Sequence, residues 1–262
     1  MLDFKTYTLF EARLQDAPGM SLEVLNNDLA LIKAWYGGKY MHLDYVDPYV
    51  IRRFKEVAHR VSAIVGWTPK DTVLYRDVGW HPVGSAPETP VVGWKGGVSV
   101  SNKPLQSWTD SEQKADDFDD EIHHGQAKSK YSVVVSSEVK ASEILVNYDA
   151  MRKFIAAGDN FFSKYTDAIN NLDIDTLSPA SIQTQYQKAL PFLTQINSII
   201  PFGEGRTLDI SSFRAAGVLL YHLLHEFHSM ASDFDEFALW GSQSEVVVYG
   251  PTRRVCTVLH VH

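Results

Sequence analysis

Between residues 10 and 66 the apolar positions recur at helical spacing. Leu22, Leu25, Leu29 and Ile32 stand three or four residues apart, and Val50, Phe54, Val57, Val61 and Ile64 repeat the pattern. Each set falls along one side of a 3.6-residue helix, which predicts two amphipathic helices. Gly37-Gly38 and Pro48 separate them. From about residue 71 the period shortens. Thr72-Val73-Leu74-Tyr75-Arg76 is β-branched and aromatic, and Pro69 stands just before it, as at a strand entry. Val98-Ser99-Val100, Leu105 to Thr109, Tyr131 to Val135 and Ile144 to Tyr148 are further strand candidates. Ser111 to Phe118 reads as a short acidic helix with Ala115 and Phe118 inward.

Helical spacing returns over residues 151–232. Phe154, Phe161, Phe162, Tyr165 and Ile169 mark one segment. Ile182, Tyr186, Leu190 and Leu193 mark a second, and Phe213, Val218, Leu220 and Leu224 a third. Pro179, Pro191, Pro201 and Gly203 are expected to punctuate them. The chain then reads as strands again at Phe237 to Trp240, Glu245 to Tyr249 and Val255 to Val261. Strands and helices segregate, so the expected class is α+β rather than a doubly wound sheet. The expected organisation is a single domain over residues 1–262. It comprises a helical N-terminal lobe (1–70), a split β core (71–150 and 233–262) and a long helical insertion (151–232).

Composition narrows the function classes. The 262 residues are 45% hydrophobic and 21% charged, which excludes a disordered or low-complexity chain. Lys+Arg number 24 against 32 Asp+Glu, a net charge of −8, which argues against a broadly basic nucleic-acid-binding surface. The single cysteine, Cys256, allows neither an internal disulfide nor a cysteine-built zinc site. Met1 to Lys5 show no basic stretch leading into an apolar one, and no apolar run approaches the ~20 residues of a membrane span. The expectation is a chain acting in a cytoplasm, its own or that of a cell into which it is delivered, with no membrane partner. P-loop, G-x-G-x-x-G, G-x-S-x-G and H-E-x-x-H motifs are absent, which weakens ATPase, Rossmann and α/β-hydrolase readings.

Three short features carry candidate chemistry. Arg76 closes an otherwise apolar strand, where a guanidinium is costly to bury unless an anion or a carboxylate meets it. A structural ion pair is the alternative. Ser107 and Thr109 flank Trp108 and share a strand face, so their hydroxyls could orient a carboxylate or a ribose. Alternatively, Thr109 or Asp110 starts the next helix. Gln243 and Glu245 share a face at the start of an apolar strand, which suits electrostatic work at a partly dry site; the alternative is a solvated strand end. His222, His225 and His228 recur every third residue, but a metal would need more ligands, such as Glu226 or Asp233, and they read as packed or solvent-facing. No metal is expected. The acidic run from Asp116 to Glu121 reads as a solvated face.

Taken in order, these features resemble the arginine–serine–glutamate class of ADP-ribosyltransferases, and Gln243-Ser244-Glu245 resembles its Gln-x-Glu, toxin-type branch. The resemblance covers about residues 48–150 and 235–250. It implies that NAD is the substrate, with Arg76 holding its phosphates or nicotinamide ribose and Ser107 orienting the catalytic carboxylate. Glu245 would bind the ribose hydroxyl and stabilise positive charge as the glycosidic bond breaks. Gln243 would position the acceptor, and Thr109 would lie on the NAD side. The implied activity is mono-ADP-ribosyl transfer to a macromolecule, expected to be a protein. A non-catalytic interaction protein on the same fold, or an NAD glycohydrolase, are the alternatives.

Overall fold

The computed structural model describes residues 13, 14, 17, 19–37, 39, 40, 43–117, 129–172, 178–203, 208–240 and 245–262. The described residues form seven α-helices and a seven-stranded antiparallel sheet. The chain divides into two compact units, each assembled from three segments. The helical unit takes Met1–Ala34, His59–Trp67 and Arg152–Phe237, and the sheet unit takes Trp35–Ala58, Thr68–Met151 and Ala238–His262. These units cut across the expected partition into lobe, core and insertion. Chain order cannot reveal this, because residues 35–58 and 59–67 carry the same helical period.

In the helical unit, α1 (Leu22–Tyr36) starts at Ser21, whose hydroxyl accepts the Val24 N–H at 3.2 Å. The second helix, α2 (Pro48–Val65), of which residues 59–65 belong to this unit, ends at Gly66, whose φ of +73° suits glycine. Asp28 and Arg60, one on each helix, form a two-pronged ion pair with both contacts at 2.6 Å. Further along, α4 (Tyr148–Ser163), α5 (Thr166–Asn170), α6 (Pro179–Ile199) and α7 (Ile210–Trp240) complete the set; α3 belongs to the sheet unit. Phe227 on α7 stacks on Phe162 at 5.4 Å and meets Phe154 edge-on at 5.9 Å. Gly158 on α4 permits this approach: a Cβ there would lie 2.1 Å from the Phe227 ring.

Two expectations fail on these helices. Pro191 interrupts nothing and lies inside α6. Its missing N–H leaves one helical hydrogen bond unmade, and the buried Leu193 and Ile196 beyond it hold the helix together. Phe237 to Trp240, expected as a strand, is the last turn of α7. No proline intervenes, and the core positions Phe227, Met230 and Phe234 keep helical spacing, so the helix propagates to Trp240. The β core therefore resumes at Glu245, not at residue 233.

The sheet unit contains β1 (Thr72–Gly79), β2 (Lys95–Ser99), β3 (Leu105–Thr109), α3 (Glu112–Asp117), β4 (Ser132–Val139), β5 (Ile144–Asn147), β6 (Glu245–Tyr249) and β7 (Arg253–Val261). A 3-10 turn, Ala141–Glu143, joins β4 to β5. The strand order is β2-β7-β4-β1-β3-β6-β5. Val133 to Val135, Ile144 to Val146 and Val246 to Val248 are buried at consecutive positions, so these stretches are covered on both faces. β1 pairs with β4 along eight residues but with β3 only at Tyr75 and Thr109. The sheet is thus two ladders, β2-β7-β4-β1 and β3-β6-β5, joined at one residue pair.

Candidate functional site

The junction between the two ladders brings the three sequence-predicted residues together. Tyr75 opposes Thr109, and Thr109 opposes Glu245, so β1, β3 and β6 stand level there. Ser107 opposes Val247, two residues beyond Glu245, and cross-strand neighbours share a face. Ser107 and Glu245 are therefore diagonal neighbours, within reach of a hydroxyl and a carboxylate. The Ser107 hydroxyl donates to Glu245 Oε1.

Arg76 reaches the same place by another route. Strand alternation would send its side chain away from the face of Tyr75. β1 and β3 pair only at Tyr75 and Thr109, and the guanidinium is held to the β3 backbone beyond that pair. Arg76 Nη1 donates to the Ser107 carbonyl at 2.6 Å. Its Nε is buried with no hydrogen-bond partner among the described residues. Desolvation pushes the guanidinium down to about 10, opposed by the charges of Glu245 and Asp77. It keeps its proton at neutral pH. Asp77, next in sequence, accepts the Ser132 hydroxyl at 2.6 Å.

Burial raises Glu245 above the ordinary carboxylate value, while the Ser107 hydroxyl and the Arg76 charge pull it back. The group is a buried carboxyl, oriented by one hydroxyl and within electrostatic reach of one guanidinium. Such a group favours a neighbouring centre that becomes positive, and the spare guanidinium nitrogen favours an anion.

Thr109 is placed differently from its expected role. It is 1% exposed, and its hydroxyl accepts the Ser111 N–H at 3.2 Å, turning the chain into α3. Of the two roles left open for this residue, the helix-starting one matches its surroundings. Ser111, not Asp110, caps α3, accepting the Lys114 N–H at 3.4 Å. Gln243 lies outside the described residues, as do His123, His124 and Asp119 to Glu121. His228 pairs with Asp159 and Glu226 with Lys33, and among the described residues no three His, Cys, Asp or Glu side chains cluster closely enough to hold a metal ion.

Sequence reasoning missed the groups behind the site. Gln106, Trp108, Arg254 and Glu143 interlock on the other face of β3. The available signal was Gln106 at an otherwise apolar strand position, one residue from Ser107. No family model, curated protein or solved structure matches this chain.

Proposed function

We propose that the protein is a mono-ADP-ribosyltransferase that uses NAD and modifies a protein acceptor. The observation that carries this reading is that Arg76, Ser107 and Glu245 meet at one sheet junction although 31 and 138 residues separate Ser107 from its two partners. The groups fit the proposed substrate. The buried, unpartnered Arg76 Nε suits a pyrophosphate oxygen, and the Glu245 carboxylate suits a ribose losing a neutral leaving group.

In this reading NAD supplies an activated glycosidic bond. Glu245 stabilises the charge that develops on the ribose as nicotinamide departs, in surroundings that screen it poorly. Ser107 fixes one carboxylate oxygen, so no reorientation is needed at that moment. Arg76 keeps the phosphate end in place and, by its charge, favours the ionised form of Glu245 against the effect of burial. Transfer leaves ADP-ribose on a nucleophile of the acceptor, and Gln243 is proposed to position that nucleophile.

Incubation with NAD labelled in its adenosine half tests the proposal. Labelled protein is the expected result, and Glu245→Ala should lower turnover by about 10²–10³-fold or more while far-UV circular dichroism stays unchanged. Labelled ADP-ribose in solution without transfer identifies a glycohydrolase. Absence of NAD binding, or full activity in Glu245→Ala, overturns the assignment.

A further inference from the structure

Ser107 stands between two buried residues, Gln106 and Trp108, whose side chains project from the opposite face of β3. They are bonded to each other, with Trp108 Nε1 donating to Gln106 Oε1 at 3.1 Å. Gln106 Nε2 donates to the Pro251 carbonyl at 3.0 Å and to that of Gly250 at 3.4 Å, which ties β3 to the turn between β6 and β7. The Arg254 guanidinium lies 5.7 Å from the centre of the Trp108 ring and holds the two oxygens of Glu143 at 3.2 Å each. Gly250 leaves room for this pair. A Cβ there would stand 2.3 Å from Arg254 Nη2 and 2.8 Å from Glu143 Oε1.

A buried amide and a buried guanidinium on a half-buried carboxylate are poor choices for stability alone, since well-packed apolar side chains often do as well or better. They specify register instead. A one-residue slip of β3 would turn Ser107 away from Glu245 and bring Gln106 or Trp108 in its place. The valines of β6 would tolerate that slip, because one apolar neighbour replaces another. The Gln106 bonds to the Gly250 and Pro251 carbonyls and the contact of Arg254 with the Trp108 ring would not tolerate it, because those partners lie outside β3 at fixed places.

We infer that Gln106, Trp108, Arg254 and Glu143 are positioning residues for the site, locking β3 so that the Ser107 hydroxyl meets Glu245 and the Ser107 carbonyl meets Arg76. The locking follows from geometry alone; its catalytic consequence rests on the transferase reading above.

The test follows the Glu245 carboxyl by carbon-13 NMR in glutamate-labelled protein, its signal assigned by its loss in Glu245→Gln. Arg254→Met, Trp108→Phe and Gly250→Ala should each move the Glu245 titration upward by about half a pH unit or more, because the Ser107 hydroxyl and the Ser107 carbonyl that anchors Arg76 both lie on β3. Trp108→Phe keeps a ring over Arg254 and removes only the donor to Gln106, so it carries the test if Arg254→Met does not fold. Val258→Ala, a cavity in the same sheet away from the network, should lower the unfolding midpoint and leave the titration in place. An unchanged or lowered titration in Trp108→Phe and Gly250→Ala overturns the inference, as does an equal shift in Val258→Ala. NAD consumption by the same samples separates the two ideas. Wild-type protein that consumes no NAD while the titrations move removes the transferase reading and leaves the positioning intact. Wild-type turnover with unmoved titrations removes the positioning alone.

Discussion

Glu245 is pulled in two directions. Burial favours its neutral form, and the Ser107 hydroxyl and Arg76 favour its charged form, with burial the larger influence. The folded chain therefore binds this proton more tightly than the unfolded chain does. Stability must fall as pH rises from the ordinary value of 4.5 through the raised one, because the folded state then holds a poorly solvated charge. Glu245→Gln should be more stable than the parent at about pH 7, and the difference should vanish near about pH 4, where both side chains are neutral. Urea midpoints at the two values check this, and equal midpoints at neutral pH would contradict it. At this scale the sequence was informative where a residue is unusual for its element, as with an arginine or a glutamate on an apolar strand. It was silent on Thr109, because the same hydroxyl serves a ligand or a helix start, and only the Ser111 N–H beside it separates the two roles.

Among the elements, helical periodicity located α1 and α2 well, since Leu22 to Ile32 and Phe54 to Ile64 are the residues buried. It misjudged where helices end. The end of α7 was read as a strand because Phe237 to Trp240 is as compatible with one as with the other. Glycine positions were similarly opaque. By propensity alone Gly158 weakens α4, yet the Phe227 ring occupies the space of its missing Cβ. Gly158→Ala should therefore destabilise the fold by about 1–3 kcal/mol, overpacking outweighing the ~1 kcal/mol that alanine contributes to a helix. A gain in chemical-denaturation stability would refute that packing argument. The Asp28–Arg60 pair gives a second expectation. Its side chains are 2% and 12% exposed, so Arg60→Ala leaves a carboxylate with little water to replace its partner. A loss of roughly 3–5 kcal/mol is expected in urea unfolding; a loss below about 1 kcal/mol would place the pair with ordinary surface bridges.

For the whole molecule, composition sets properties that no contact alters. With a net charge of −8 and an isoelectric point near 5.6, self-repulsion should disappear on mild acidification. Light scattering between about pH 5 and 8 should show least solubility near the isoelectric point, and a minimum well away from it would indicate that local patches dominate. No helix among the described residues is long and apolar enough to cross a membrane. What the sequence determined by itself is the class of most elements, the segregation of helices from strands and the residue types able to do chemistry. These depend on periodicity and on side-chain character, which are local. Only the tertiary structure decided that β3 lies between β1 and β6, that the ladders meet at a single pair, and that Arg76 bonds the Ser107 carbonyl. Strand order and register arise from cross-strand contacts between residues far apart in the chain. A local pattern carries no record of them, so Arg76, Ser107 and Glu245 could be singled out in advance but brought together only in three dimensions.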